Sequence, residues 1–377
     1  MLTRMYLTNF LSFSERTEFD FTASKYSILG ETNVYDNSIL KGALFIGPNA
    51  SGKSNALKGI VFLLKLMNGE GTSFEKVRCT FGKTPLTTVE YEFIFHPKKV
   101  VYKIEYNVQT KNMYENLTID DITVLKRSGP VGELIIGEES KLNDRLDDNT
   151  LFLRTASFDT GRFPQEPTLR KLVDFLNNSY FIDGYNHGAH WGNNIMKYAE
   201  TYGVEKLNSY LQEFNYDFFV EYGSESEGEG LRIYEGSNKK MVFIKRKSFP
   251  IPNTFFNESQ GNQVFTDLLP LLIRTIENAG ILVLDEFGSS LHNRLSEKVI
   301  KFFMQKANAS QLFITSHHTN LISNYVFRPD QINLITFNDA KGSKVERISR
   351  FKPREAQNME KMYLGGMFEG LPIYEEI

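Results

Sequence analysis

The spacing of apolar residues divides the chain into segments of two periods. Residues 2 to 22 alternate apolar and polar positions around a turn at Ser14 and Glu15, which predicts two strands. Lys41 to Ile46 is a short apolar strand that runs into a turn containing Gly and Ser. Beyond it Leu57, Ile60, Val61 and Leu64 recur at helical spacing, so the unit reads strand, loop, helix. Residues 86 to 125 alternate again and are rich in Val, Ile, Tyr, Phe and Thr, predicting several antiparallel strands. From Thr168 to about Phe219 the spacing of Leu169, Leu172, Val173, Leu176, Val204, Leu207 and Leu211 predicts helices, punctuated by DGYNHGAHWG at 183–192 and read as a helical insertion. Strands are expected at Leu231 to Ile233 and Met241 to Ile244. Then come a helix from Val264 to Glu277 kinked at Pro270, a strand over 281–285, a helix from Leu295 to Ala307 and a strand over 312–315. This alternation predicts an α/β fold with a largely parallel sheet covered by helices.

Composition narrows the class. The 377 residues exceed the roughly 100–200 of a typical domain, which by itself suggests two domains. Apolar residues at 41% and charged residues at 24% exclude a disordered or collagenous chain. With 43 Lys plus Arg against 46 Asp plus Glu the net charge is −3, so a polyanion site has to be local. The one cysteine, Cys79, excludes an intramolecular disulfide or a thiolate-rich metal centre and fits a reducing cytoplasm. Apolar runs fall short of the ~18 residues of a spanning helix, and the strand-like N-terminus lacks the signature of a secretory signal. A cytoplasmic protein with no membrane partner is the expectation.

Three motifs carry candidate chemistry. GPNASGKS, Gly47 to Ser54, fits the phosphate-loop pattern G-x-x-x-x-G-K-[ST] between a strand and an amphipathic helix. Its backbone N–H groups would cradle phosphates. Gly52 permits close approach, Lys53 reaches the β- and γ-phosphates, and Ser54 ligates Mg²⁺, with Gly47, Asn49 and Asn55 completing the nucleotide-binding set. In ILVLDEF a buried strand ends in Asp285 and Glu286, which would bind Mg²⁺ and polarise the attacking water respectively. In LFITSHH a further strand delivers Thr315, Ser316, His317 and His318, with His317 expected on the γ-phosphate side as a second catalytic residue and His318 a bystander. ATP and Mg²⁺ are the expected ligands.

In this order the motifs resemble the ATP-binding-cassette type of ATPase head, in the branch shared by chromosome-maintenance, recombination-repair and overcoming-lysogenization-defect ATPases. The resemblance implies a phosphate-loop ATPase head whose mixed, mainly parallel sheet carries an antiparallel β subdomain. It also implies a signature loop that reaches the nucleotide of a partner subunit. FFNESQGNQVF at 255–265 looks like that loop, with Ser259 and Gly261 as the trans contacts and Gln260 where the commonest signature has glycine. GSSLH at 288–292 looks like the loop joining two sites across a dimer, with His292 in place of a common Asp. For the lobe-connecting glutamine only Gln109 and Gln165 are candidates.

NFLSF at 9–13, GPNASGKSN, ESQGNQ, DEFGSSLH, TSHHTNLI at 315–322 and YLGGMFEGLP at 363–372 resemble the AAA-type ATPases of abortive-infection and restriction-linked loci, the AbiL/Rlo-type and PARIS-type subunits; Glu369 stands where that last motif has glycine. The resemblance implies an antiphage-defence ATPase that forms a homodimer or higher oligomer around ATP, senses a phage component and controls a separately encoded, nuclease-like effector. It further implies one head split by the insertion. Residues 1–165 hold the phosphate loop and antiparallel strands, 166–219 the insertion, 220–350 the signature, carboxylates and switch histidine, and 351–377 a tail. The 60 residues after His317 are too few for the nuclease domain of overcoming-lysogenization-defect proteins, so this subunit is not expected to cut nucleic acid by itself.

Other clusters have two readings each. Lys239, Lys240, Lys245, Arg246 and Lys247 form either a solvated strand-pair surface or a phosphate-backbone contact to nucleic acid. His187 and His190 form HxxH without the Glu of a zinc protease, which favours a structural loop. Glu225, Glu227 and Glu229 among Gly and Ser suit a solvated hairpin loop. The rivals to a defence ATPase are a recombination-type repair head that binds DNA directly and a nucleotide-gated scaffold for a toxic partner.

Overall fold

A computed structural model describes residues 1–70, 73–182, 193–223 and 240–368. The chain opens with β1 (Leu2–Thr8), β2 (Thr17–Asp20), the turn α1 (Gly30–Asn33), a short ladder of β3 (Val34–Tyr35) with β4 (Ile39–Leu40), and β5 (Gly42–Ile46). Helix α2 (Lys53–Asn68) and the turn α3 (Phe74–Val77) precede β6 (Leu86–Phe95), β7 (Lys98–Asn107), β8 (Asn112–Ile119), β9 (Ile122–Ser128), β10 (Val131–Ile136) and β11 (Glu139–Asn143). Helices α4 (Phe152–Ser157) and α5 (Pro167–Asn177) lead to β12 (Tyr180–Ile182). Next come α6 (Asn193–Tyr202), α7 (Glu205–Glu213), β13 (Phe218–Gly223), β14 (Met241–Arg246) and β15 (Phe249–Thr254). The last part holds α8 (Gln260–Asn278), β16 (Ile281–Leu284), α9 (Asn293–Lys306), β17 (Gln311–Thr315), β18 (Ile332–Asn338), β19 (Gly342–Arg347) and α10 (Met359–Leu364).

A six-stranded sheet of order β12-β16-β17-β5-β18-β19 positions the site. Its first five strands are parallel and β19 pairs antiparallel at the edge. The apolar runs noted in the sequence are continuous because both faces of these strands are covered. Ala43, Phe45, Ile281, Val283 and Phe313 enter the core shared with α2, α5 and the outer sheet. Leu44, Ile46, Leu282, Leu284, Leu312 and Ile314 enter the second core with α8 and α9. An eight-stranded sheet of order β11-β10-β9-β8-β7-β6-β1-β2, wholly antiparallel, forms the outer layer.

Helix ends follow local chemistry. α2 starts after Gly52, whose φ of 104° leaves no side-chain cap, and stops at Gly69, whose N–H bonds back to Leu66 and Lys65 carbonyls. α8 starts four residues before the predicted Val264, because Ser259 accepts from the Asn262 N–H as N-cap. At α9 the cap is His292, whose Nδ1 accepts from Arg294 N, as an Asp carboxylate at an N-cap position can.

The structure departs from the helical reading of 166–219 at Phe218, where β13 begins, and earlier at a three-residue element. Tyr180–Ile182 forms a strand paired in parallel with Leu282–Leu284, so α5 and β12 carry the main sheet's edge. Three residues are too few to display a period, and their partner lies about 100 positions downstream. The strand expected at 231–233, the acidic stretch 224–230, the HxxH residues His187 and His190, Lys239 and the end of the C-terminal motif from Glu369 lie outside the described residues.

Candidate phosphate-binding site

The parallel order β16-β17-β5 brings three motifs to one sheet edge. The loop Gly47–Gly52 leaves β5 and feeds α2, so the uncapped first N–H groups of that helix open onto the edge. Gly47 at φ 153° approaches the backbone so closely that a Cβ there would lie 2.1 Å from the Ile335 carbonyl oxygen. At Gly52 a Cβ would lie 2.3 Å from Ser343 Oγ and 2.6 Å from Ser12 Oγ. Glycine is therefore required on steric as well as conformational grounds.

Two serines remote in the sequence hold this loop. Ser343 Oγ lies 2.6 Å from the Ser51 carbonyl oxygen and 2.7 Å from Ser12 Oγ, within hydrogen-bonding reach of either. Asn55 Nδ2 donates to Ser12 Oγ at 2.9 Å, so this predicted nucleotide-binding side chain is engaged in bracing the loop. Ser12 belongs to the NFLSF motif, which was its signal in the sequence. Ser343 sits in an ordinary turn sequence and had none. Asn49 is exposed and lines, with Pro48, His317, His318 and Tyr363, a cavity of about 250 Å³.

Lys53 is buried and donates from Nζ to the carbonyl oxygens of Gly47 at 3.0 Å and Pro48 at 2.8 Å. Burial lowers its pKa from the ordinary lysine value, opposed by the nearby carboxylates of Asp285 and Glu286. The Ser54 hydroxyl donates to Asp285 Oδ1 at 3.1 Å, joining the phosphate loop to the carboxylate strand. Thr315, to which the sequence reading gave no role, donates its hydroxyl to the same Oδ1 and accepts from Glu286 N at 2.7 Å. Glu286 stands at φ 54°, a left-handed conformation rare outside glycine. His317 is exposed and lies within the field of Lys53, Glu286 and Asp285. Partial desolvation and the Lys53 charge lower its pKa below the ordinary imidazole value, against the pull of the two carboxylates. His318 lines the same cavity as His317, but its buried Nδ1, beside Gly288, has no hydrogen-bond partner among the described residues.

The donor set is hard. Ser54 Oγ and Asp285 oxygen suit a small divalent cation that keeps waters and takes further oxygens from phosphate, as Mg²⁺ does. Among the described residues no cluster of three or more His, Cys, Asp or Glu suits a metal held by protein groups alone. Lys53, Ser54 and Asp285 thus combine a cation and oxygen donors suited to a cation–polyphosphate pair, with Glu286 and His317 within their field.

Ser259 and Gly261 lie elsewhere, at the N-terminus of α8, with Ser259 exposed. Among the described residues no hydrogen bond links them to Lys53, Ser54, Asp285, Glu286 or His317. A Cβ on Gly261 would lie 3.1 Å from the Ser290 carbonyl oxygen, so this loop abuts the Gly288–His292 loop of the same chain. Glu258 accepts two bonds from Arg246, at 2.5 and 2.9 Å, and one from Asn262 Nδ2 at 2.9 Å. These bonds, chiefly Arg246, hold its pKa down to about 2.

That pair, with Lys245 to Glu221 at 3.3 Å, engages two of the cations considered for nucleic acid, while Lys240 and Lys247 are exposed. Gln109 is exposed in the β7–β8 turn, and Gln165 donates to the Gly161 carbonyl at 3.2 Å. Among the described residues neither glutamine hydrogen-bonds to the site, and no helix is long and apolar enough to cross a membrane.

Comparison with known proteins accords with this geometry. The family model described as AAA domain, putative AbiEii toxin, Type IV TA system matches residues 43–323, which contain all three motifs. No curated protein matches the chain. The fold is similar to the SMC head domain from Thermotoga maritima, with a TM-score of 0.51 and 13% identity over 92% of this chain and 98% of that one. It is equally similar to the SmcHead solved bound to the C-winged helix domain of ScpA, with a TM-score of 0.51 and 15% identity over 92% of this chain and 97% of that one. These likenesses identify the fold as that of an SMC-head-like phosphate-loop ATPase.

Proposed function

Because the chain belongs to the family of AAA domains described as putative AbiEii toxins of type IV TA systems, we propose that it is an Mg²⁺-dependent ATPase subunit of an antiphage defence system. The observation that carries the ATPase reading is the Ser54–Asp285 contact, which unites loop and carboxylate strand in one half-site. Lys53 and the N–H groups opening α2 bind the β- and γ-phosphates. Ser54 and Asp285 hold Mg²⁺, which when bound neutralises charge between those phosphates. Glu286 orients and polarises the attacking water, and His317, whose pKa partial desolvation and the Lys53 charge push down, hydrogen-bonds on the γ-phosphate side.

The exposed Ser259 and the half-buried Gly261 make no hydrogen bond to the half-site of their own chain among the described residues. We take them as contacts to the nucleotide of a second copy, so that two chains sandwich two ATP molecules. The defence role rests on the family description and the motif resemblance, and a phage trigger and a separately encoded nuclease-like effector on the motif resemblance alone. A DNA-binding repair head is the second reading, favoured by the SMC-head fold; it would draw on Lys240 and Lys247, with Lys245 and Arg246 released from their ion pairs.

Replacing Glu286 with Gln is expected to slow steady-state turnover by ~10²–10⁴ while ATP still binds. An unchanged hydrolysis rate overturns the assignment. With Mg²⁺ and ATP the same variant should accumulate as a dimer by light scattering, and adding Ser259→Arg should return it to monomer with ATP still bound. A chain that stays monomeric throughout refutes the sandwich.

A further inference from the structure

We propose that Thr315 is a positioning residue that sets Asp285 for the metal and Glu286 for the water through one hydroxyl. The proposal rests on the ATPase reading of this site. β16 leaves the ladder after Leu284, and the three residues that follow all bond to Thr315 or take their direction from it. Asp285 Oδ1 accepts from the Thr315 hydroxyl, Glu286 N donates to that hydroxyl at 2.7 Å, and Phe287 N donates to the Thr315 carbonyl at 2.8 Å. A hydroxyl has one proton to give and lone pairs to receive, and here both capacities are used in opposite directions.

The consequences differ for the two carboxylates. At Asp285 the Thr315 and Ser54 hydroxyls both point to Oδ1, which fixes the rotation of the carboxylate. Among the described residues no hydrogen bond reaches Oδ2, which leaves that oxygen available to a cation. At Glu286 the bond is to the backbone, and it holds a non-glycine residue at φ 54°, a conformation that costs of order 1–3 kcal/mol unless its surroundings impose it. Thr315 itself has little freedom. It is 1% exposed at the end of β17, opposite Phe45 of β5, and its branched Cβ restricts χ1. One rigid side chain between the phosphate-loop strand and the carboxylate strand therefore registers the metal ligand against the general base.

Valine reproduces the shape of Thr315 without the hydroxyl, and serine keeps the hydroxyl without the branch. The full-length wild type, Thr315→Val and Thr315→Ser would be compared by titration with a fluorescent ATP analogue in EDTA, by Mn²⁺ binding in the presence of ATP followed by electron paramagnetic resonance, and by turnover at saturating ATP. Thermal melting checks that each variant folds. Thr315→Val is expected to weaken Mn²⁺ binding and lower kcat by ~10–100-fold, with nucleotide affinity in EDTA unchanged and most of the loss recovered in Thr315→Ser. A valine variant equal to a nucleotide-binding wild type overturns the inference alone. Parallel loss of EDTA-state affinity and melting temperature in both variants marks a merely structural residue and also overturns it. A wild type that binds no nucleotide overturns the ATPase reading, and the inference with it.

Discussion

Ser54 and Asp285 are 231 positions apart in the chain, and the Ser54 hydroxyl donates to the Asp285 carboxylate at 3.1 Å. The contact exists because β17 lies between β5 and β16, so that the loop after β5 and the carboxylates after β16 emerge on either side of Thr315. A magnesium–nucleotide site needs both halves, and neither strand supplies more than one.

The phosphate loop should be intolerant of a single methyl group. Gly52→Ala places a Cβ at φ 104° within 2.3 Å of Ser343 Oγ and 2.6 Å of Ser12 Oγ. The backbone strain amounts to about 1–3 kcal/mol, and either the loop or the serine brace has to move. A lower melting temperature is expected, with ATP affinity reduced at least about tenfold, each 1.4 kcal/mol being a factor of ten. Differential scanning fluorimetry and nucleotide titration check both.

The Arg246–Glu258 pair should make stability depend on acid. The folded-state pKa of Glu258, about 2 against an ordinary 4.5, means the carboxylate binds its proton more weakly in the native chain. Its contribution is therefore present in full above about pH 4.5 and is lost progressively as the pH falls towards 2, on the order of 3 kcal/mol at most. The melting-temperature difference between wild type and Glu258→Gln should shrink over that interval. A constant difference from pH 6 to pH 3 would contradict it. The same variant frees the segment ahead of Ser259, so the proposed ATP-driven dimerisation should weaken at neutral pH.

Arg127 anchors the outer sheet to the segment before α4. Its guanidinium bonds the carbonyl oxygens of Gly129 at 2.7 Å, Asp147 at 2.8 Å and Thr150 at 2.6 Å, and Glu115 at 3.2 Å, and both charged side chains are 0% exposed. Glu115 also accepts from Phe152 N at 2.7 Å and from the Tyr102 hydroxyl at 2.5 Å. Arg127→Met should cost about 3–5 kcal/mol in urea denaturation, because it leaves a buried carboxylate without its cation. Adding Glu115→Leu should recover part of that loss, since removing both charges spares the desolvation penalty.

How much of this was legible depends on the distance over which each feature is encoded. The loop Gly47–Ser54, the runs ending at Asp285 and Thr315, and the body of α8 from Val264 show in the sequence because their geometry follows from neighbours in the chain, whereas the first turn of α8 at the Ser259 cap does not. The strand Tyr180–Ile182 was hidden because the strand it pairs with, β16, lies about 100 positions downstream. Ser343 was hidden because a serine beside a turn glycine is commonplace until the fold sets it against Ser12, 331 positions away. The basic group at 240–247 looked free in the sequence, whereas Arg246 and Lys245 meet Glu258 and Glu221 across folded strands.

The sequence by itself determined the kind of chemistry, since a glycine-rich loop that opens a helix and apolar strands that end in carboxylates or histidine are local solutions to local constraints. Only the tertiary structure decided how those pieces meet. The strand order set Thr315 between Asp285 and Glu286, Ser12 after β1 and Ser343 of the edge strand β19 braced the loop at Gly52, and Arg246 fixed Glu258 ahead of α8. Hydrogen bonds between groups tens to hundreds of positions apart leave no period in the chain. They arise from packing, which selects among many locally acceptable conformations the one in which buried polar groups find partners.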